Sequence, residues 1–274
     1  PFFTQRKYKD LYFKHYHQYT GRHFDWPPYR PVEESPEEVE HCRHEYAALM
    51  TMCDVYLGNV IDLMDELEMW EDTMLVVWTD HGFLLGEHDN WAKVWMPFYQ
   101  EVAHTPFFIW DPRSGKRGER RDALVQPSID LGPTLLEFFG LEPTGDMTGK
   151  GLRDTIADDT PVRDAAIFGV NGSQVNVTDG RYVYMRATDD WNASHYEYTL
   201  MPTRMRGFFS LESLADQTTL NEGFSFTKGC QLLKVGGPVG PKESARSPET
   251  TRHLLWDVEN DPRQQAPLDD AAVE

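Results

Sequence analysis

The stretch that most constrains this chain runs from Met74 to Lys93, MLVVWTDHGFLLGEHDNWAK. Its opening, MLVVWT (Met74 to Thr79), is a nearly continuous apolar run rich in β-branched and aromatic residues. Such a run predicts a strand buried on both faces. The strand then delivers two metal-ligating side chains back to back, Asp80 and His81, followed by the permissive Gly82. In open α/β sheets, ligands gather just beyond the carboxyl ends of the strands. A carboxylate and an imidazole placed there can share one cation, and Lys93 follows on the same loop. A cation together with an ammonium makes a receptor for a tetrahedral oxyanion such as sulfate or phosphate. An Asp-His pair standing alone can equally well cap a strand or bind backbone, so the dipeptide does not choose between these roles.

The flanking elements read as an α/β unit. Ser35 can cap a helix, Pro36 suits its first position and Glu38 completes a capping box. Apolar residues then recur at helical spacing (Tyr46, Leu49, Met50, Cys53, Leu57, Val60, Ile61, Met64 and Leu67), which predicts a core-facing stripe. Asp54 falls beside it. A turn near Glu71-Asp72 leads into the Met74 strand. Beyond Lys93, Thr105 to Trp110 reads as a second strand ended by Asp111-Pro112. His104, just ahead of it, most simply holds the preceding loop, and a role at the site stays open. The basic stretch Arg113 to Arg121 lacks the P-loop pattern and reads as a solvated loop. Ser128 to Phe139 predicts an amphipathic helix ended by Gly140.

From about Gly151 the character changes, which divides the chain into a region 1–150 and a smaller region 151–274 with antiparallel strands. Ala165 to Val170 and Gln174 to Thr178 are strand candidates, and Asp179-Gly180 links VNVT to RYVYMR as a two-residue hairpin. Asp189 to Ser247 is loop-rich and ambiguous, broken at Gly236-Gly237-Pro238. At the other end, Pro1 to Pro31 is aromatic-rich and irregular, a loop wrapped over a surface. His15, His17 and His23 within it are expected to be packing or surface residues rather than a metal cluster.

At 274 residues and 40% hydrophobic content the chain can bury a core. Its formal charge of −19 argues against nucleic acid and anionic membrane as partners. The same field opposes an anionic substrate, so a local cation and Lys93 would have to overcome it. No apolar run of transmembrane length and no signal peptide is evident, and the chain starts at Pro1 rather than Met. Cys42, Cys53 and Cys230 have no metal-like or disulfide spacing and read as free, mostly buried thiols. Asn171, Asn176 and Asn192 begin N-x-[ST] sequons that read as chance matches.

TDHGFLLGEHDNWAK (Thr79 to Lys93) resembles the sulfatase branch of the alkaline phosphatase superfamily, whose members carry S/T-D-H-G, then L-G-[ED]-H, then W-x-K. The Thr105 strand, IDLGPTLLEFFGL (Ile129 to Leu141) and the closing HLLWDVENDPRQQAPL (His253 to Leu268) are also similar to family segments. The last has drifted, with Gln264 or Gln265 standing where the family has Glu. Pro1-Phe2-Phe3 looks like the tail of the family's H-E-P-[FW] motif, cut after its histidine. The resemblance implies part of an alkaline-phosphatase-like mixed sheet flanked by helices, followed by a smaller α+β subdomain. It implies a metal-dependent hydrolase of sulfate esters, acting on a small molecule or a sulfated saccharide. Asp80 and His81 would be metal ligands, Lys93 would be catalytic and substrate-binding, and His88 would be substrate-binding. Calcium is the usual family metal, while an imidazole ligand keeps magnesium and manganese open. The family nucleophile is a formylglycine made within C/S-x-P-x-R. No cysteine or serine here has that context, so it is expected upstream of Pro1 and these residues alone are expected to be inactive. Two alternatives remain: a phosphonate or phosphate mono- or diesterase of the same superfamily, and a non-catalytic sulfatase-like binding module.

Overall fold

A computed structural model describes residues 4–12, 18–23, 27–170, 173–188, 195–204, 207–237 and 247–268. The first large element is a 31-residue helix, α1 (Pro36–Glu66). It starts where the capping box predicts: the Ser35 hydroxyl accepts from the Glu38 amide at 3.3 Å, and the Glu38 carboxylate accepts from the Ser35 amide at 2.9 Å. The face it buries is not the expected one. His41, Cys42, Glu45, Ala48, Met52 and Met64 point inward, whereas Tyr46, Met50, Val60, Ile61 and Leu67 of the predicted stripe are exposed. Packing against the N-terminal segment and the loop around Leu85–Ala92, not apolar content, selects the inner face. By length and composition alone α1 would even pass for a membrane span, contrary to the expected absence of such a run, with Asp54, Asp62 and Asp65 along it.

Strand β1 (Leu75–Trp78) follows a short helical turn (Met69–Glu71) and pairs antiparallel with β4 (Phe107–Trp110), Leu75 opposite Trp110 and Trp78 opposite Phe107. Both strands fall inside their predicted ranges. Full burial on both faces does not hold, however, because β1 is half-buried throughout and Phe108 is 65% exposed. Between them lie the short strands β2 (Leu84–Leu85) and β3 (Trp91–Ala92), paired antiparallel, and the one-turn helix α2 (Gln100–Ala103). Helix α3 (Pro127–Phe138) matches the predicted amphipathic helix and is followed by Gly140 in the left-handed region.

Beyond residue 150, β5 (Ala166–Gly169), β6 (Val175–Thr178) and β7 (Tyr182–Arg186) form the predicted antiparallel strands. The Asp179-Gly180 hairpin is set by Gly180 at φ +98 and by the Asp179 carboxylate, which accepts from the amides of Arg181 and Tyr182. The closing strand, Leu254–Asp257, adds antiparallel to β7, so that in this four-stranded sheet it lies beside β7, which is followed by β6 and then β5. The stretch that sequence left ambiguous contains a second antiparallel sheet, in which a strand over Leu232–Gly237 lies between Thr218–Asn221 and His195–Thr199.

The regions before and after residue 150 share a core. Leu84, Met96, Tyr99 and Val102 from the first pack with Val183, Met185, Leu254, Trp256 and Val258 from the second. A buried ion pair reinforces the join. Asp130 of α3 is fully buried and takes both guanidinium nitrogens of Arg163, plus the amides of Gln126 and Lys150. Burial alone would raise its pKa, but these hydrogen bonds win and hold the carboxyl below the usual range. Of the thiols, Cys42 is buried and pushed up to about 12 by desolvation, while Cys53 and Cys230 are exposed, against expectation. Asn176 is 1% exposed, which closes that sequon to modification in the fold, while Asn171 and Asn192 lie outside the described residues.

Candidate active site

Asp80 and His81 emerge at the carboxyl end of β1, as an apolar strand followed by polar residues dictates. The turn that carries them is docked on α2. The Gly82 amide donates to the Val102 carbonyl at 2.8 Å, and a Cβ on Gly82 would lie 1.8 Å from the Glu101 carbonyl oxygen. Only glycine allows this approach. The approach swings the His81 ring so that Nδ1 faces the Gly82 carbonyl at 2.9 Å. That contact places the hydrogen on Nδ1 and leaves the Nε2 lone pair as an acceptor or ligand.

Around this lone pair the three motif residues converge. Lys93 Nζ donates to His81 Nε2 in a short contact, and Asp80 Oδ2 lies 3.4 Å from the same nitrogen. The other Asp80 oxygen accepts from the His81 amide at 3.0 Å. Asp80 is largely exposed, and His81 and Lys93 are half-buried. An Oδ2 and an Nε2 at this separation can chelate one divalent cation, so the pair fits part of a coordination shell. Lys93 and such a cation would compete for the same nitrogen. A metal held there would therefore free the ammonium for an anionic oxygen.

Lys93 is held by an unusual backbone. His88 (φ +52), Asp89 (φ +53), Ala92 (φ +67) and Val94 (φ +70) all occupy the left-handed region. This is costly for residues with a side chain and worst for β-branched Val94. Interactions from outside maintain it. The Val32 amide donates to the Asp89 carbonyl, the Trp91 amide to the Arg30 carbonyl, and the fully buried Trp91 indole to Glu34 at 2.7 Å. Arg43 of α1 donates to the Leu85 carbonyl at 2.9 Å.

His88 sits in a different environment from the other three. Its ring stacks on Tyr99 at 3.7 Å, and Nε2 donates to Glu101 Oε2 at 3.3 Å. Burial would raise Glu101, but the hydrogen bonds from His88 and from backbone outweigh it and hold the carboxyl below its usual range. His104 is exposed and ends α2, its amide donating to the Gln100 carbonyl. Gln264, one of the two glutamines at the drifted position of the closing segment, is 1% exposed and accepts from the Gln100 amide at 2.7 Å. The tail thus buttresses α2, the element on which the Asp80–Gly82 turn rests.

Sequence reading missed one further group. His15, His17 and Pro1-Phe2-Phe3 lie outside the described residues, but His23 meets His41 and Glu45 of α1, with the three ligand atoms within 4.8 Å of one another. The signal available was the His41/Glu45 spacing of i, i+4 on a predicted helix. Glu101 carried no comparable signal, since a lone carboxylate on a four-residue turn belongs to no motif.

The Sulfatase family profile matches residues 5–141. A sulfatase of Formosa agariphila is 32% identical over 162 residues, covering 54% of this chain and 30% of that protein. The multifunctional alkaline phosphatase superfamily protein PehA of Trinickia caryophylli is 31% identical, with 45% and 24% covered. The N-acetylglucosamine-6-O-sulfatase of Bacteroides thetaiotaomicron is 29% identical, with 42% and 20% covered. The chain thus spans well under half the length of these relatives. In fold, it superposes on BT4656, solved in complex with its substrate D-glucosamine-2-N,6-O-disulfate, with a TM-score of 0.58 and 16% identity over 88% of this chain and 39% of that one. With the T-D-H-G strand end, the lysine loop and an alkaline-phosphatase-like fold in place, the chain belongs to the sulfatase family, within the alkaline phosphatase superfamily.

Proposed function

We propose that this chain carries the Asp80–His81–Lys93 part of the active site of a metal-dependent sulfuric ester hydrolase, and that the formylglycine nucleophile lies on sequence outside it. One observation supports the reading above others: His81 is fixed as the tautomer whose Nε2 faces both Lys93 and Asp80. A divalent cation, calcium by family habit, would supply Lewis-acid polarisation of a sulfuryl oxygen and hold the nucleophile. Asp80 and His81 would hold that cation. Lys93, released from His81, would donate to a non-bridging sulfuryl oxygen and neutralise the charge that builds there in the transition state. His88, fixed by Glu101 and Tyr99, would present its edge to the remainder of the ester. A sulfated saccharide is the favoured substrate class, because a relative is named as an N-acetylglucosamine-6-O-sulfatase and a protein of the same fold binds a disulfated glucosamine. These residues alone are proposed to be inactive for want of an activated nucleophile.

The family resemblance of PehA, whose name is multifunctional, favours a second reading in which phosphate or phosphonate esters are also hydrolysed. The test is turnover of 4-nitrophenyl sulfate, a 4-nitrophenyl phosphodiester and a phenylphosphonate by the full-length protein, with calcium, magnesium or manganese added. Sulfate turnover that dominates and is lost with Asp80→Ala supports the first reading. Dominant phosphonate or diester turnover supports the second, and no turnover of any ester leaves a binding module. Metal-dependent turnover by residues 1–274 alone would overturn the external nucleophile.

A further inference from the structure

We infer that His23, His41 and Glu45 form a second divalent-metal site, of the two-imidazole, one-carboxylate type that suits zinc. The inference stands apart from the sulfate-ester reading and uses none of its residues. His41 and Glu45 lie one turn apart on α1 and are both buried, at 3% and 6% exposure, while His23 closes over them from the preceding loop on the exposed side.

Two of the three ligand separations are those of a coordination shell, and the third lies within 4.8 Å. A tetrahedral ion with bonds of about 2.0–2.1 Å spaces neighbouring ligand atoms by about 3.3 Å. Here His41 Nε2 lies 3.0 Å from His23 Nδ1 and 3.5 Å from Glu45 Oε1. A cation at the centre would be favourable to all three atoms at once.

The surroundings fix the ligands in place. Tyr19 stacks on the His41 ring at 3.8 Å and 11°, and its hydroxyl donates to the Arg22 carbonyl next to His23. Lys9 lies 3.7 Å from the second Glu45 oxygen, which favours ligation through the first. Two neutral imidazoles and one carboxylate would leave a zinc ion with a single positive charge, readily accommodated in a chain of net charge −19.

The test uses Asp80→Ala/His81→Ala in the intact protein, so that the family site cannot contribute. After chelator treatment, cobalt(II) is titrated and the visible d–d bands of a four-coordinate ion are followed, then zinc is added. The expected result is one equivalent of cobalt with a four-coordinate spectrum, displaced by zinc. His41→Ala, Glu45→Gln and His23→Gln in the same background should each weaken binding by at least tenfold. His23→Gln guards against misfolding, since that residue is exposed and off the helix, and metal-free melting checks all three. Absence of the cobalt spectrum in the Asp80→Ala/His81→Ala protein would overturn the site. So would unchanged cobalt affinity in the well-folded His23→Gln protein.

Discussion

The turn-and-loop segment from Thr79 to His104 and the outer face of α1 are opposites. The segment has little regular structure, yet tertiary contacts hold it at several points: the Gly82 amide on the Val102 carbonyl, the Trp91 indole on Glu34, the Leu85 carbonyl on Arg43, and the Gln100 amide on Gln264. Helix α1 is regular and correctly capped, yet it presents Met50, Val60, Leu63 and Leu67 outward. Local rules build the helix without deciding which side is buried. Tertiary contacts build the loop against local preference, as its left-handed residues show. In a functional protein, strain is tolerated where geometry must be held and is avoided elsewhere.

The largest expected effect falls on the loop. In the full-length enzyme, Lys93→Ala should lower turnover about 10²–10³-fold, roughly 3–4 kcal/mol of transition-state stabilisation, while leaving the melting temperature nearly unchanged. A fall in stability with turnover retained would make Lys93 a structural partner of His81 and erase the contrast with α1.

Next comes Gly82→Ala. A Cβ there meets a backbone carbonyl, which cannot rotate away as a side chain can. The Asp80–Gly82 turn must lift off α2, at a cost of about 1–3 kcal/mol by the measure of an overpacked site. Both denaturant midpoint and metal affinity should fall. The same substitution at Gly58 of α1, where a Cβ meets nothing within 4 Å, should instead stabilise slightly.

The acid limb of stability sharpens the comparison further. The Glu101 carboxyl lies below its usual value because it accepts from His88. A group depressed in the folded state contributes stability that is present above its unfolded pKa and lost as pH falls through the folded one. Asp130 adds to the loss in the same direction. Stability should therefore decline with acid from the ordinary carboxylate range downward. In Glu101→Gln the decline should be shallower and the loss at neutral pH on the order of 1.5 kcal/mol, as for a hydrogen bond to a charged group. A parallel pair of stability–pH curves would show that the His88 contact contributes nothing.

How much of this was legible in the sequence follows the same division. The capping box at Ser35, the ends of α3 and the Asp179-Gly180 hairpin were readable because each depends on a few adjacent residues. The convergence of Asp80, His81 and Lys93 was readable because a strand end and a short loop constrain it. The buried face of α1 was not, since its periodic apolar residues run around more than one side and only contacts from the N-terminal segment and the 84–92 loop choose between them. Glu101 and Gln264 became meaningful only once packing brought α2 against the turn and the tail against α2.

On α1 itself, Ser35→Ala should cost about 1 kcal/mol, because it strips a hydrogen bond from an otherwise orphaned amide.

The smallest expected effect is the most telling about the comparison. Leu63 is 51% exposed on the outer face of α1, so in residues 1–274 Leu63→Ser should alter stability by no more than about 0.5 kcal/mol, as for an ordinary surface substitution. The same substitution in a longer form of the protein reports on what covers that face. If additional sequence packs there, the change removes a buried leucine and should cost roughly 2–5 kcal/mol. The exposed apolar residues of α1, together with Phe108 on β4, should also bind a hydrophobic dye in the shorter form and lose that binding in the longer one. Equal small effects in both forms would mean that the face is exposed in either, and that apolar side chains at helical spacing here serve helix propensity alone. A large effect in residues 1–274 would mean that Leu63 is already buried against a second copy of the chain, which sedimentation at several concentrations would reveal directly.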